Sequence, residues 1–489
     1  MRFSTRSLFV AACLLATLGG CAVGPNFKRP QPPQVASYEG KTALAAKPMA
    51  PETLNIVQGM DIPAQWWTLF HSKELNALIE QALKANPDLQ AAQAALRVAR
   101  ENYAAQRGVL FPTIDANFAP SRQRNPVGTL APTLSSGAPV YSLYTAQVEV
   151  SYTLDVFGGN RRLIESAKAQ AEAQRFQLEA AYLTLTSNVV LAATQEASLR
   201  AQIEATEKVI ASAREQLTIL QKLLTLGAIA EADVHAQETL LAQSEASLPG
   251  LRKQLLLQRD LISALAGRFP SDEPAEQFNF ASLELPQELP LSLPSKLVEQ
   301  RPDVRAAEEN LHAASAQVGV AIANMLPQIT LSGAKGGTAT EFSQMFQVGN
   351  VFWSAAASLT QTLFAGGMLV HKKLAAEAAL DQAGAQYRST VIAAFQNVAD
   401  TLGALRADSE ALQAQIAAER AAATSLEIAK RTFDLGSTSY LNLLIAQQTY
   451  QQVQINLIQA RASQYADTAA LFQALGGGWW NRADPKPGQ

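Results

Sequence analysis

The chain has 489 residues, 48% hydrophobic and 17% charged, with a formal net charge of −3. That composition excludes a disordered or strongly polyelectrolytic chain, and the small acidic excess argues against nucleic acid as a partner. Its two cysteines, Cys13 and Cys21, exclude a disulfide framework in the mature chain, because Cys13 falls inside the N-terminal leader.

In chain order, Arg2 and Arg6 precede an apolar run from Leu8 to Leu18, too short to span a bilayer and shaped like a signal-peptide core. The run ends in Leu18-Gly19-Gly20-Cys21, which resembles a bacterial lipobox, so residues 1–20 are expected to be a lipoprotein signal peptide. The Cys21 thiol would then carry diacylglycerol and its new N-terminus a fatty acid such as palmitate. Ala22 follows where an inner-membrane-retained lipoprotein of enteric type has Asp, which implies export to the outer membrane. Loss of the leader leaves 37 basic and 42 acidic residues, a net charge of −5.

Residues 21–65 are rich in Pro, Ala and Gln without clear periodicity and read as an extended tether. Trp66-Trp67-Thr68-Leu69-Phe70 opens a repeat over residues 66–267. A short helix follows with Leu75, Leu78, Ile79, Ala82 and Leu83 on one stripe, and Asn86-Pro87-Asp88 breaks it and starts a second helix. Strands are expected at about 113–119 and 143–157, joined by a Pro- and Gly-containing loop over 120–139. From Ala146 to Val156 the second strand alternates: Ala146, Val148, Val150, Tyr152, Leu154 and Val156 against Gln147, Glu149, Ser151, Thr153 and Asp155. About ten alternating residues is the length of one transmembrane β-strand. Asp115 and Asn117 supply the polar positions of the first strand.

Asn160 to Leu226 contains 67 residues without Gly or Pro. One unbroken helix there would be roughly 100 Å long. Leu226-Gly227 ends it, and a return helix over about 231–266 is expected to be interrupted at Pro249-Gly250. Ile203, Ile210, Leu217 and Leu224 recur every seven residues, as do Leu248, Leu255 and Ile262. That spacing is a coiled-coil seam.

A Pro-rich linker over 268–300 leads to a second repeat over 301–475, followed by a tail over 476–489. Arg301-Pro302-Asp303-Val304 matches Asn86-Pro87-Asp88-Leu89, and Phe364-Ala365-Gly366-Gly367 echoes Phe157-Gly158-Gly159. Leu435-Gly436 matches Leu226-Gly227 at an offset of 209, and Gly476 matches Gly267 at the same offset. The second repeat should therefore hold strands at about 328–334 and 351–364, a long helix over 368–435 and a return helix over 439–475. The fold class is α+β: a duplicated unit of strand pair and long helix hairpin in a membrane protein. Four strands are fewer than the smallest single-chain barrel contains, and unpaired edges cannot face lipid, so several chains must share the barrel.

The ordered set Cys21-Ala22-Val23-Gly24-Pro25-Asn26-Phe27-Lys28-Arg29-Pro30, Trp66-Trp67, Asn86-Pro87-Asp88-Leu89, Arg301-Pro302-Asp303-Val304, Phe364-Ala365-Gly366-Gly367 and Leu475-Gly476-Gly477-Gly478-Trp479 resembles TolC-type outer membrane factors. The likeness is to the lipoprotein branch that serves resistance–nodulation–division efflux. It implies a homotrimer whose three sets of four strands form a 12-stranded outer membrane β-barrel continuous with a 12-helix periplasmic α-barrel. The tether, linker and tail would form an equatorial belt. The implied partners are a periplasmic membrane-fusion adaptor, an inner-membrane pump and outer membrane lipid.

The resemblance maps the adaptor-docking tips onto Leu226, Gly227, Ala228, Leu435, Gly436 and Ser437. It places the resting aperture around Leu441, Asn442 and Ile445, with Asp233 at the equivalent of Asn442 in the first repeat, an aperture candidate for which pairing with a neighbouring helix is the favoured reading. Relatives carry an aspartate where Ile445 stands, so an apolar ring of Leu441 and Ile445 is expected here, with Ile445 packed between helices as the competing reading. Asp115, Asn117, Gln147, Glu149, Ser151, Thr153 and Asp155 would line the pore. No His-Glu-x-x-His and no phosphate-binding Gly-x-x-x-x-Gly-Lys-Ser/Thr occurs, and His71, His235, His312 and His371 lie far apart. No enzyme activity, metal or non-covalent cofactor is expected. The rivals are a conduit for type I protein secretion and a non-pore coiled-coil lipoprotein.

Overall fold

The computed structural model describes residues 22–38, 55–124, 140–272 and 275–482. The expected signal peptide and Cys21 lie outside the described residues. In chain order the elements are β1 (Asn55–Gln58), α1 (Lys73–Ala85), α2 (Pro87–Arg107), β2 (Thr113–Arg124), β3 (Val140–Leu154), α3 (Gly159–Thr225) and α4 (Glu231–Leu265). They continue with β4 (Glu288–Leu291), α5 (Pro294–Gln300), α6 (Pro302–Ala323), β5 (Gln328–Ala339), β6 (Val351–Thr360), α7 (Met368–Asp434) and α8 (Tyr440–Ala474).

Two compact units share the chain, and α2, α3, α6 and α7 each contribute to both. The first unit, Met1–Arg29, Arg97–Ala173 and Ala307–Tyr387, holds one antiparallel sheet in the order β2-β3-β5-β6. β2 and β5 run longer than the sequence pattern indicates, whereas β3 and β6 end earlier, at Leu154 and Thr360. β2 continues through Pro120 to Arg124, each residue in register with β3. Pro120 sits on the edge strand of this chain's sheet, where proline is ordinarily found.

The second unit is Pro30–Leu96, Gln174–Ala306 and Arg388–Gln489. Trp66, Trp67 and Phe70 form a 3-10 turn that is almost wholly buried, and Trp66 stacks on Phe472 of α8 with ring centroids 5.0 Å apart. The two repeats use their Pro-Asp motifs alike. Asn86 Oδ1 accepts the N–H groups of Asp88 and Leu89, capping α2, while Asn86 Nδ2 donates to the Leu265 carbonyl at the end of α4. In the second repeat Arg301 Nη1 donates to the Ala474 carbonyl at the end of α8. One side chain thus ties the start of a short helix to the end of a return helix in each half.

Two departures from the sequence pattern have clear causes. First, α4 runs unbroken through Pro249, although Pro249-Gly250 reads as an interruption. Both residues face solvent, where the carbonyl freed by the missing N–H remains accessible to water. Second, β1 from the tether and β4 from the linker pair in parallel, Asn55 with Glu288 through Gln58 with Leu291. Four-residue strands carry too little alternation to announce themselves.

Candidate functional site

In the sheet of the first unit, residues directly opposite one another share a face. Asp115 pairs with Glu149 and Asn117 with Gln147, while Ser151 pairs with Ser332 on β5. Thr145 and Thr338 bring their hydroxyls to 3.1 Å, and Thr153 and Thr330 to 3.3 Å. The polar face therefore continues across three strands. The other face carries Ile114, Phe118, Val148, Val150, Leu331, Trp353 and Leu359, all exposed. Lys335 stands on that apolar face, opposite Val148 and Trp353. Every residue of β2 and all but one of β6 are exposed in the single chain.

Asp155, assigned to the pore face by its phase, instead lies just beyond β3 and caps α3. Its carboxylate accepts the N–H groups of Asn160 and Arg161 at 2.9 Å each and pairs with the Arg161 side chain. Alternation cannot distinguish the last strand position from the first helix cap. Close by, the tether is docked by Arg162, which is only 4% exposed and donates to the Val23 and Gly24 carbonyls and to Asn26 Oδ1. Phe27 stacks on His312 at 4.3 Å, and His312 Nε2 lies 3.0 Å from Glu165. Burial opposes ionisation of Glu165, but Arg162 and His312 outweigh it and hold its carboxyl below the usual range.

In the second unit, the tips of the two hairpins have the same construction. Gly227 (φ 69°) donates to the Leu224 carbonyl and Ala228 to Leu223; Gly436 (φ 70°) donates to Phe433 and Ser437 to Thr432. Each pair is a Schellman motif, in which a left-handed glycine lets two N–H groups satisfy the last helical carbonyls. The leucine before each glycine is left bare: Leu226 is 79% exposed and Leu435 is 77% exposed.

Just beyond the second tip, α8 divides its side chains. Leu443 and Leu444 enter a core with Leu220, Val234, Leu240 and Tyr440. Leu441 and Ile445, one helical turn apart, stay 57% and 51% exposed. Asn442 Nδ2 donates to Thr438 Oγ1 at 2.8 Å. Asp233 accepts the Ala230 N–H at 3.3 Å, so it caps the start of α4.

The chain matches the model of the outer membrane efflux protein family over residues 78–268 and 293–477. The chain belongs to this family. Among its relatives, outer membrane protein OprJ of Pseudomonas aeruginosa is 30% identical, with 96% of each chain covered. The toluene efflux pump outer membrane protein TtgC of Pseudomonas putida is also 30% identical, over 98% of this chain and 97% of that one. The structure of the outer-membrane channel OprN aligns with a TM-score of 0.84 at 28% identity, covering 94% of this chain and all of OprN.

As a family member, the protein is an outer membrane channel component of an efflux system. Channel and transport components are its relatives. Among the described residues no helix is long and apolar enough to cross a membrane. Two features of the efflux protein have no local sequence signal. One is the buried link from Tyr440 through Gln237 to Ala213. The other is the close approach of Asp408 and Asp467, one from each arm of the second hairpin.

Proposed function

We propose that three copies of this efflux protein close a barrel of four strands each, and that the assembly is a passive duct carrying no chemistry of its own. The observation that carries this is the sheet order β2-β3-β5-β6, which leaves an edge of β2 and an edge of β6 without partners among the described residues. An open edge in lipid leaves backbone groups unsatisfied at several kcal/mol each, so each edge requires a neighbouring strand. The polar face with Asp115, Asn117, Gln147, Glu149, Ser151 and Thr153 then lines water, and the face with Ile114, Val148 and Trp353 meets lipid.

In this reading a periplasmic adaptor docks on the tips at Leu226-Gly227-Ala228 and Leu435-Gly436-Ser437, and an inner-membrane pump energises transport. Leu441 and Ile445, with Asn442 beside them, form the resting constriction. Their exposure in the single chain supports this over packing within it. Cys21 carries the lipid anchor, and no other cofactor is required. The cargo is a class of small organic molecules, consistent with relatives named for toluene and solvent efflux.

The deciding experiment is the native mass of protein extracted in mild detergent, corrected for bound detergent, together with the intact mass of the chain. Three chains per particle and a lipid-sized increment on Cys21 support the duct. A monomer stable through several gentle extractions overturns it, since four strands cannot close a pore.

A further inference from the structure

The charged side chains of the four-stranded sheet are sorted by sign between its two faces. Asp115 and Glu149 oppose each other on the polar face. Arg122 and Arg124 keep the alternation phase of Ile114 and Phe118 on β2, and Lys335 stands opposite Val148. All three cations therefore belong to the apolar face. The connections at this end of the sheet supply little opposing charge. Residues 125–139, which join β2 to β3, contain no Asp or Glu. Between β5 and β6 the one acid is Glu341, which accepts from Gln344 Nε2 at 2.8 Å.

The apolar face has the height of a membrane. It runs along β5 from Ile329, opposite Leu359, to Ala339, opposite Tyr144. That length is about 33 Å of strand, or about 25 Å of height at a tilt of about 40°, the depth of the apolar band of an outer membrane barrel. Its upper end is aromatic: Phe342 packs edge-on against Phe118 at 5.9 Å and Tyr144 at 6.1 Å. The turn holding Phe342 lies close over β5 because Gly337 has no Cβ to strike the Met345 carbonyl. Aromatic girdles mark the level where acyl tails give way to headgroups. Arg122 stands two residues beyond Pro120, the partner of Tyr144, and Arg124 two further, so both reach headgroup level. Lys335 lies lower, opposite Trp353, where a lysine extends its ammonium along apolar surface toward the interface. Helices α3 and α7 leave from the other end of the sheet, after Leu154 and Thr360, and project into the periplasm. The arginines thus mark the outer leaflet.

Cations above aromatic rings above aliphatic side chains is the order that complements a lipid with an anionic head. Guanidinium groups grip phosphate oxygens in pairs, and Arg122 and Arg124 are spaced about 7 Å apart along one face of the strand. Acyl chains alone offer them nothing, and a zwitterionic headgroup brings an ammonium of its own. We propose that Arg122, Arg124 and Lys335 bind the phosphates of a phosphorylated glycolipid of the outer leaflet, whose acyl chains lie against Phe118, Val148 and Trp353. The site presupposes the lipid-facing role proposed above for the apolar face.

The test is native mass spectrometry of the full-length protein in mild detergent, titrated separately with bisphosphorylated lipid A, its dephosphorylated form and phosphatidylglycerol. The wild type should retain the bisphosphorylated lipid at least fivefold more than the other two. Arg122→Gln with Arg124→Gln should abolish that preference, and Lys335→Gln should lower retention at least twofold. Arg122→Lys with Arg124→Lys keeps the charge and should keep most of the binding. Equal retention of phosphatidylglycerol overturns the glycolipid assignment. A preference that survives the double glutamine variant, or none in the wild type, overturns the site. The same spectra report the number of chains per particle. A site that fails on an intact trimer leaves the duct reading standing, whereas a stable monomer overturns that reading and the site with it.

Discussion

The phenol of Tyr440 on α8 donates to the side-chain carbonyl of Gln237 on α4, and the Gln237 amide donates to the Ala213 carbonyl on α3 at 2.8 Å. Gln237 is fully buried and Tyr440 is 3% exposed. The relay joins the hairpin of one repeat to that of the other inside the apolar cluster of Leu220, Val234, Leu240, Leu443 and Leu444. A polar pair in such a seam fixes register, because a shifted alignment leaves both groups unpaired. Burial, with the nearby Asp233 charge, pushes the Tyr440 phenol well above its usual pKa, so it remains a donor throughout the physiological range.

Tyr440→Phe should therefore cost about 1–3 kcal/mol, since it leaves the Gln237 carbonyl buried without a donor. Adding Gln237→Leu should recover much of that loss, because both partners are then apolar. Helical melting by circular dichroism of the two variants checks the pair. A double variant that melts below Tyr440→Phe would show that the amide matters for Ala213 rather than for Tyr440.

The relay also marks where the sequence stops being legible. The first long helix follows from missing glycines and prolines, the second from missing prolines, β3 from its alternation, and both tips from Leu226-Gly227 and Leu435-Gly436. These are local signals. Tyr440 and Gln237 are 203 residues apart in sequence, and β1 meets β4 over an even longer interval, so nothing near either position announces the contact. Pro249 failed as a helix stop because its cost depends on solvent exposure, which the sequence does not state. Asp155 was misplaced by a single residue, where strand alternation gives way to helix capping.

At the tips, the two bare leucines and the two glycines predict different losses. Leu226→Asp with Leu435→Asp removes apolar surface without touching the fold, so native mass and melting should not change while adaptor cross-linking and drug resistance fall several-fold. Gly436→Ala meets no neighbouring atom, but its φ of 70° strains any side chain. It should cost about 1 kcal/mol, read as a lower melting temperature. Cross-linking that survives the double aspartate variant would move the docking surface elsewhere.

At the proposed constriction, Ile445→Ala and Leu441→Ala shorten side chains while keeping helix propensity. Both residues are half-exposed in one chain, so their truncation should leave melting within about 0.5 kcal/mol of wild type. If they form the resting aperture, closed-state conductance in planar bilayers should rise severalfold, more for the pair than for either alone. Unchanged conductance would assign the resting barrier to other residues.

Asp408 on α7 faces Asp467 on α8, and burial first, then the hydrogen bond and charge of Asp467, push its carboxyl up to about 7. Asp408 Oδ2 is buried and accepts no hydrogen bond, and a proton held between the two carboxyls satisfies it. Between the unfolded value of 3.8 and about 7 the folded chain holds a proton that the unfolded chain has lost. Stability should therefore fall as pH rises through that window and level off above it. Asp408→Asn removes the ionisable group, so it should raise the melting temperature at pH 8 and change it little at pH 4. A variant–wild-type difference that grows as pH rises from about 4 and levels off above about 7 identifies this pair as the titrating group. The same gain at both pH values would make Asp408 a packing defect rather than a shared-proton site.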